Sequence, residues 1–231
     1  LGPRTKPFDT LSKINFLIRS FLYIYPKNYD LVHAHAFLPG ITARLLMAFK
    51  GLPAIFTVHG TSMGTNLLNP LARYIEKFIL TEILYSAQIT VSQDFLKLKN
   101  INKNITYIPN SVEIKNFDKV NSKKFKNPTL IFVGRLHPQK NLLILIRAFK
   151  KVFQDHPNIK LEIVGDGQQK SILQREVKAL RLTKSIIFHG EVAQRNLIRL
   201  YKSSHIFGLP SIYEGQPLTL LEAWAAKLPV I

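Results

Sequence analysis

Short apolar runs alternate along this chain with longer stretches whose apolar positions recur every three or four residues. That alternation predicts buried strands each followed by a helix, the signature of parallel βαβ architecture. In the first half the strand-like runs are Leu31–His35, Ala54–Val58, Gln88–Val91 and Thr106–Ile108. Helical patterns are predicted at Ile41–Phe49, Leu71–Tyr85 and Asp94–Lys99. The stretch Asn116–Pro128 is rich in Lys and Asn and poor in large apolar residues, which predicts a linker. A second alternation follows it. Strands are predicted at Thr129–Val133, Lys160–Val164, Ile186–Phe188 and Ile206–Leu209, and helices at Leu142–Gln154, Gln169–Leu180, Gln194–Lys202 and Pro217–Ala226. Pro229-Val230-Ile231 opens one more strand. The expected fold class is α/β, with a first domain over residues 1–118, a linker over 119–128 and a second domain over 129–231.

Ligands of open α/β sheets bind outside the carboxyl ends of the strands, so the polar residues there are the ones to examine. The segment Pro210–Ala223 carries most information. Glu214 and Glu222 lie eight positions apart, separated by a glycine, a proline and an apolar run. Pro217 suits the first position of a helix, which places Glu214 in the preceding loop and Glu222 on the helix. The first amides of that helix, Leu218 and Thr219, then form an anion site with a carboxylate on each side. A diphosphate flanked by hydroxyl-bearing sugars matches both halves. After the strand ending at Gly134 come Arg135 and Lys140, two cations beside a position where a side chain is missing. The chain has no Asp-X-Asp pair of the kind that holds a divalent metal against a diphosphate. Two side-chain cations and a helix N-terminus can supply that charge instead. Trp224 is expected to pack, since its helix must bury one face.

Composition narrows the picture further. There is no cysteine, which removes disulfide and thiolate-metal chemistry. His33 and His35 share one strand face, but spacing places no third metal ligand near them. Ser92 and Ser211 lack a nucleophile-elbow pattern. No run of about 18 apolar residues predicts a membrane span, and Ile14–Tyr25 reads as an amphipathic helix. The net charge is +18, built from +7 over residues 1–120 (14 Lys and Arg against 7 Asp and Glu) and +11 over 121–231 (18 against 7). This spread favours polyanionic or phosphorylated partners, or simply a solvated basic surface. No aromatic-interleaved RNA-binding strand is present.

Gly134-Arg135-Leu136 with Lys140, Val164-Gly165-Asp166-Gly167, Phe188–Val192, Leu209-Pro210-Ser211, the Glu214–Glu222 segment and Pro229-Val230-Ile231 occur in the order found in glycosyltransferase family 4. Asp30–His35, Thr57–Gly60, Val91-Ser92 and Ile108-Pro109-Asn110 agree with it in the first half. The chain resembles that family over residues 29 to 231, with Asn110-Ser111 where Asn-Gly is usual and Lys227 in place of a common glycine. The resemblance implies a GT-B fold, two Rossmann-like parallel-sheet domains facing across a cleft. It also implies that the family's first strand, glycine-rich loop and closing helices are missing from this chain. The implied reaction moves a sugar from a nucleotide-sugar donor to a glycan or lipid-linked acceptor, with retention at the anomeric carbon. No metal or other cofactor is implied. Gly134, Arg135 and Lys140 would bind the donor diphosphate, Leu218 and Thr219 its distal phosphate, Glu222 the ribose, Val192 the base and Glu214 the donor sugar, while His59 would reach the sugar from the first domain. The implied place is the cytoplasm, with peripheral contact at an anionic inner-membrane face and no nucleic acid. A sugar-nucleotide epimerase of the same fold and a charge-driven binder of membrane or nucleic acid remain as alternatives.

Overall fold

A computed structural model describes residues 10–59, 74, 77, 78, 80, 82–96 and 104–231. The chain divides into two compact units, residues 1–109 and 110–231.

In the first unit, α1 (Thr10–Ile24) precedes β1 (Val32–His35), α2 (Phe37–Lys50), β2 (Ala54–Val58), β3 (Ala87–Thr90), α3 (Gln93–Leu96) and β4 (Ile105–Tyr107). The strands form a parallel sheet in the order β1-β2-β3-β4. Helix α2 begins four residues earlier than its apolar period suggests. Pro39 falls in its first turn, where no intrahelical N–H is required, so the proline helps start the helix. Gly40 allows α2 to lie close to the sheet, since a Cβ there would stand 3.0 Å from the Phe56 ring. Of the predicted helix at 71–85, Tyr74, Lys77, Phe78 and Leu80 are described and helical; the rest lies outside the described residues up to Glu82, which begins a turn. The predicted helix at 94–99 is described only as far as Leu96.

The second unit runs through α4 (Ile114–Asp118), β5 (Thr129–Val133), a 3-10 turn (Pro138–Lys140), α5 (Leu142–Asp155), β6 (Lys160–Val164), α6 (Lys170–Ala179), β7 (Ile186–Gly190), α7 (Gln194–Ser203), β8 (Ile206–Phe207) and α8 (Leu218–Ala225). All pairings are parallel, in the order β7-β6-β5-β8, and Val230 bridges to Phe207 beyond β8. The sheet is covered on both faces, which is why its strands read as mostly apolar runs; the buried charged exception, Glu162 on β6, pairs with His189 on β7 at 2.5 Å. Phe132, Leu161 and Ile163 pack under α5 and α6; Ile131, Val133 and Phe207 pack under α7 and α8 on the other face.

The segment read as a linker packs on this unit. Phe117 and Val120 join the core beneath α7, Phe125 N donates to Ser203 O at 2.8 Å, and Lys124 reaches Ser204 O. A few large residues suffice to dock it, and the surrounding lysines hide them in a composition count. Trp224 is 58% exposed, against expectation, because α8 buries its small face through Ala223 and Ala226.

Candidate active site

The strand order reverses beside β5: β6 and β7 lie on one side of it and β8 on the other. Such a switch point opens a crevice at the carboxyl ends of the two strands that diverge there. The loops leaving β5 and β8 carry the residues singled out above. Gly134, Arg135 and Lys140 follow β5, whereas Glu214, Leu218, Thr219 and Glu222 follow β8.

Three contacts join the two loops. Ile212 N donates to Gln139 O at 2.9 Å, and Gln139 Nε2 donates to Tyr213 O at 3.0 Å. Lys140 Nζ pairs with Glu214 Oε1, both side chains being less than one-fifth exposed. Sequence placed Lys140 and Glu214 on the same ligand; the structure also makes them partners of each other. The turn that carries Lys140 is capped by His137, whose Nδ1 accepts from Gln139 N at 3.2 Å. Burial, then the charges of Arg135 and Lys140, holds the His137 imidazole below its ordinary pKa, which keeps that nitrogen free to accept.

The glycines at the strand ends are explained by close approach of neighbouring loops. Leu136 N donates to Asp166 O and Gln169 N to Leu136 O, both at 3.0 Å. A Cβ on Gly167 would stand 2.6 Å from Leu136 O. Asp166 is the docking residue of this loop and pairs with Lys170 at 2.7 Å. A Cβ on Gly134 would meet the Phe132 ring at 3.1 Å and lie 3.8 Å from the Lys140 side chain.

Helix α8 begins one residue later than predicted. Pro217, with ψ at 126°, is the N-cap and not the first helical residue. The first-turn amides are then Leu218 and Thr219, which a helix leaves without intrahelical acceptors. Glu222 is partly buried, and its Oε2 accepts from Tyr201 Oη at 2.9 Å; the same hydroxyl lies 3.3 Å from Thr219 O. Burial pushes the Glu222 carboxyl pKa up, and the Tyr201 hydrogen bond opposes that rise. Burial, then the Glu222 charge, pushes the Tyr201 phenol up, so it stays a donor. Tyr201 is a residue the sequence reading missed, its only signal being an aromatic on the buried face of α7. Val192 follows β7, two strands from β5, and packs at the margin of the core beneath α7.

His59 lies in the first unit, just after β2. Its Nε2 is 2.8 Å from His35 Nδ1, and the two rings stack with centroids 5.1 Å apart. His33 stands 4.3 Å from His35 ring to ring and bonds Thr57 Oγ1 at 2.7 Å. Desolvation, then neighbouring imidazoles, lowers the pKa of His33 and His59. Among the described residues no group of three His, Cys, Asp or Glu side chains is placed to hold a metal ion, and no helix is long and apolar enough to cross a membrane.

Residues 113–231 match the family described as glycosyl transferases group 1, and residues 2–116 match glycosyltransferase family 4. The chain is 28% identical to the UDP-Gal:alpha-D-GlcNAc-diphosphoundecaprenol alpha-1,3-galactosyltransferase of Escherichia coli, covering 93% of this chain and 60% of that protein. It is 35% identical to an uncharacterized glycosyltransferase of Methanocaldococcus jannaschii, over 61% of this chain and 36% of that one. The chain therefore spans less than two thirds of the length of these relatives. Among solved structures, HepE from Anabaena in complex with UDP and glucose superposes with a TM-score of 0.77 at 17% identity, covering 97% of this chain and 64% of that one. Sucrose-phosphate synthase from Thermosynechococcus elongatus gives the same TM-score at 20% identity, covering 99% and 63%. These likenesses identify the fold class as GT-B, and each unit here is one of its Rossmann-like sheets.

Proposed function

The chain belongs to the glycosyl transferases group 1 family, and we propose that it moves a sugar from a nucleotide-sugar donor to a glycan or lipid-linked acceptor, with retention of anomeric configuration. The observation that carries this reading is the pairing of a cation-bearing loop with a carboxylate-bearing loop across the switch point of the second sheet. Gly134 leaves room for a diphosphate, Arg135 and Lys140 supply its counter-charge, and the Leu218 and Thr219 amides receive the distal phosphate. Two buried hydroxyls without a hydrogen-bond partner among the described residues, Ser211 Oγ and Thr219 Oγ1, flank the same helix entry; a polar ligand there would satisfy them. Glu222, held by Tyr201 through one oxygen, offers the other to a ribose diol. Val192 meets the base through its backbone, and Glu214 holds the donor sugar. His59, in the first unit, contributes to binding of the sugar near its reacting carbon.

As the nucleoside diphosphate departs, negative charge grows on the phosphate and positive charge on the sugar ring. Arg135, Lys140 and the α8 N-terminus stabilise the former without need of a divalent metal. The acceptor attacks the face the phosphate leaves, and the departing phosphate oxygen takes the acceptor's proton. In a cytoplasmic protein, the basic excess of the chain would suit peripheral docking on an anionic membrane, where a lipid-linked acceptor would be found.

The test is a screen of nucleotide sugars for binding and for slow hydrolysis, repeated with EDTA. Binding of at least one nucleoside diphosphate, unchanged by EDTA, is expected; no binding of any overturns the reading. The anomeric configuration of a captured product, read by NMR, decides retention. Co-sedimentation with phosphatidylglycerol vesicles at low salt, absent with phosphatidylcholine, decides the membrane contact.

A further inference from the structure

The loop that brings Glu214 to the site is fastened at its far end by a residue with no role in the reading above. Asn110 follows β4 and is the residue at which the chain enters the second unit. Its backbone N–H donates to Gln216 Oε1 at 2.5 Å, and its Nδ2 donates to Gln216 O at 2.7 Å. Both residues are half-buried. Two bonds between one pair of residues, with one side-chain arm from each, define a direction as well as a distance.

What Gln216 precedes gives this clamp its importance. Pro217 is the N-cap of α8, and it has no side-chain cap hydrogen bond to offer that helix. A Ser, Thr, Asp or Asn at an N-cap ordinarily fixes where the first turn begins; here that constraint is missing. Pro217 also has no N–H through which it could be anchored itself. The Pro217 carbonyl is taken by Leu220 N of the same helix at 3.1 Å, so the carbonyl of Gln216 is the last main-chain group before the first-turn amides of Leu218 and Thr219 that is held from outside the helix. Gln216 is two residues after Glu214 and two before Leu218, so whatever holds it holds both sides of the anion site.

We propose that Asn110 is a positioning residue of the donor site: its clamp on Gln216 sets the approach of the α8 N-terminus to the distal phosphate and ties that site to the first residue of the second unit. The assignment rests on the nucleotide-sugar reading.

The two arms can be removed separately. Asn110→Ala loses the Nδ2 arm and keeps the backbone arm; Gln216→Ala loses the Oε1 arm and keeps the carbonyl arm. UDP, ADP and GDP are titrated against the wild-type chain by calorimetry, each beside its monophosphate, and the tightest diphosphate is carried forward. Each single variant is expected to weaken that diphosphate by roughly three- to tenfold and the double variant by more, with monophosphate affinity held within about twofold. Exchange of the Asn110 amide, followed by NMR, should quicken in Gln216→Ala and slow further when diphosphate binds the wild type. Equal diphosphate affinity in all four proteins overturns the proposal, as does a parallel fall for diphosphate and monophosphate, which marks general loosening. A wild-type chain that binds no diphosphate overturns the nucleotide-sugar reading itself, a result distinguishable from either.

Discussion

Replacing Gly165 by alanine tests how closely the strand-end loops of the second unit are fitted. Gly165 has φ +126°, and a Cβ there would stand 2.1 Å from Gly134 O and 3.0 Å from Gly134 C. That is roughly 1 Å short of an ordinary carbon–oxygen contact of about 3.3 Å. Neither backbone can retreat freely. Gly134 N is bonded to Val164 O at 3.0 Å, and Gly165 N to Gly190 O at 2.8 Å. So positive a φ costs about 1–3 kcal/mol for alanine, and forcing the loops apart costs about 1–3 kcal/mol more. Gly190→Ala is a positive-φ reference without the clash, because Gly190 has φ +67° and the nearest atom to its Cβ would be the flexible Lys170 Nζ at 3.9 Å. Urea unfolding followed by tryptophan fluorescence suits the comparison, since the single tryptophan of the chain, Trp224, lies on α8 of this unit. Gly165→Ala should be less stable than Gly190→Ala by about 1–3 kcal/mol. It should also bind nucleoside diphosphate more weakly, because the displaced Gly134 carries Arg135 with it. A difference between the two variants under about 0.5 kcal/mol, within the ordinary scatter of neutral substitutions, would refute the close-approach argument.

Three further outcomes follow from the site. Lys140→Met should weaken nucleoside diphosphate binding by about ten- to a hundredfold, the value of a charge-assisted hydrogen bond; Glu214→Gln should leave it unchanged or tighter, because it frees Lys140, while abolishing sugar transfer. Calorimetry with the bare diphosphate distinguishes the two, and equal losses would contradict the pairing. The His137 pKa lies below the usual imidazole value, so the folded unit prefers neutral His137; the stability this contributes is complete above about pH 6.5 and is lost as pH falls toward the lowered value. His137→Asn keeps a capping acceptor but cannot titrate, so its urea midpoint should fall less between pH 7 and pH 5 than that of the wild type. Tyr201→Phe leaves the partly buried Glu222 without its donor and should destabilise the unit by about 1–3 kcal/mol, measured by the same unfolding assay; an unchanged midpoint would show that solvent replaces the tyrosine.

The strand–helix alternation and the positions of Arg135, Lys140, Glu214 and Glu222 beside strand ends were legible in the chain, because they depend on local periodicity and on short spacings. A strand buried on both faces is mostly apolar, and a helix entry marked by proline is a local event. Boundaries were less legible. Pro39 reads as a breaker until its place in the first turn of α2 is known, and the lysines of 119–128 mask the few residues that dock that stretch. Long-range pairs left no trace at all. Lys140 with Glu214, Tyr201 with Glu222, and Asn110 with Gln216 are separated by 74, 21 and 106 residues. Sequence by itself determined which residue types stand at the strand ends. Only the tertiary structure decided which of them touch, because hydrogen-bond geometry is settled by how the β5 and β8 loops converge at the reversal of strand order, and no local pattern encodes that convergence.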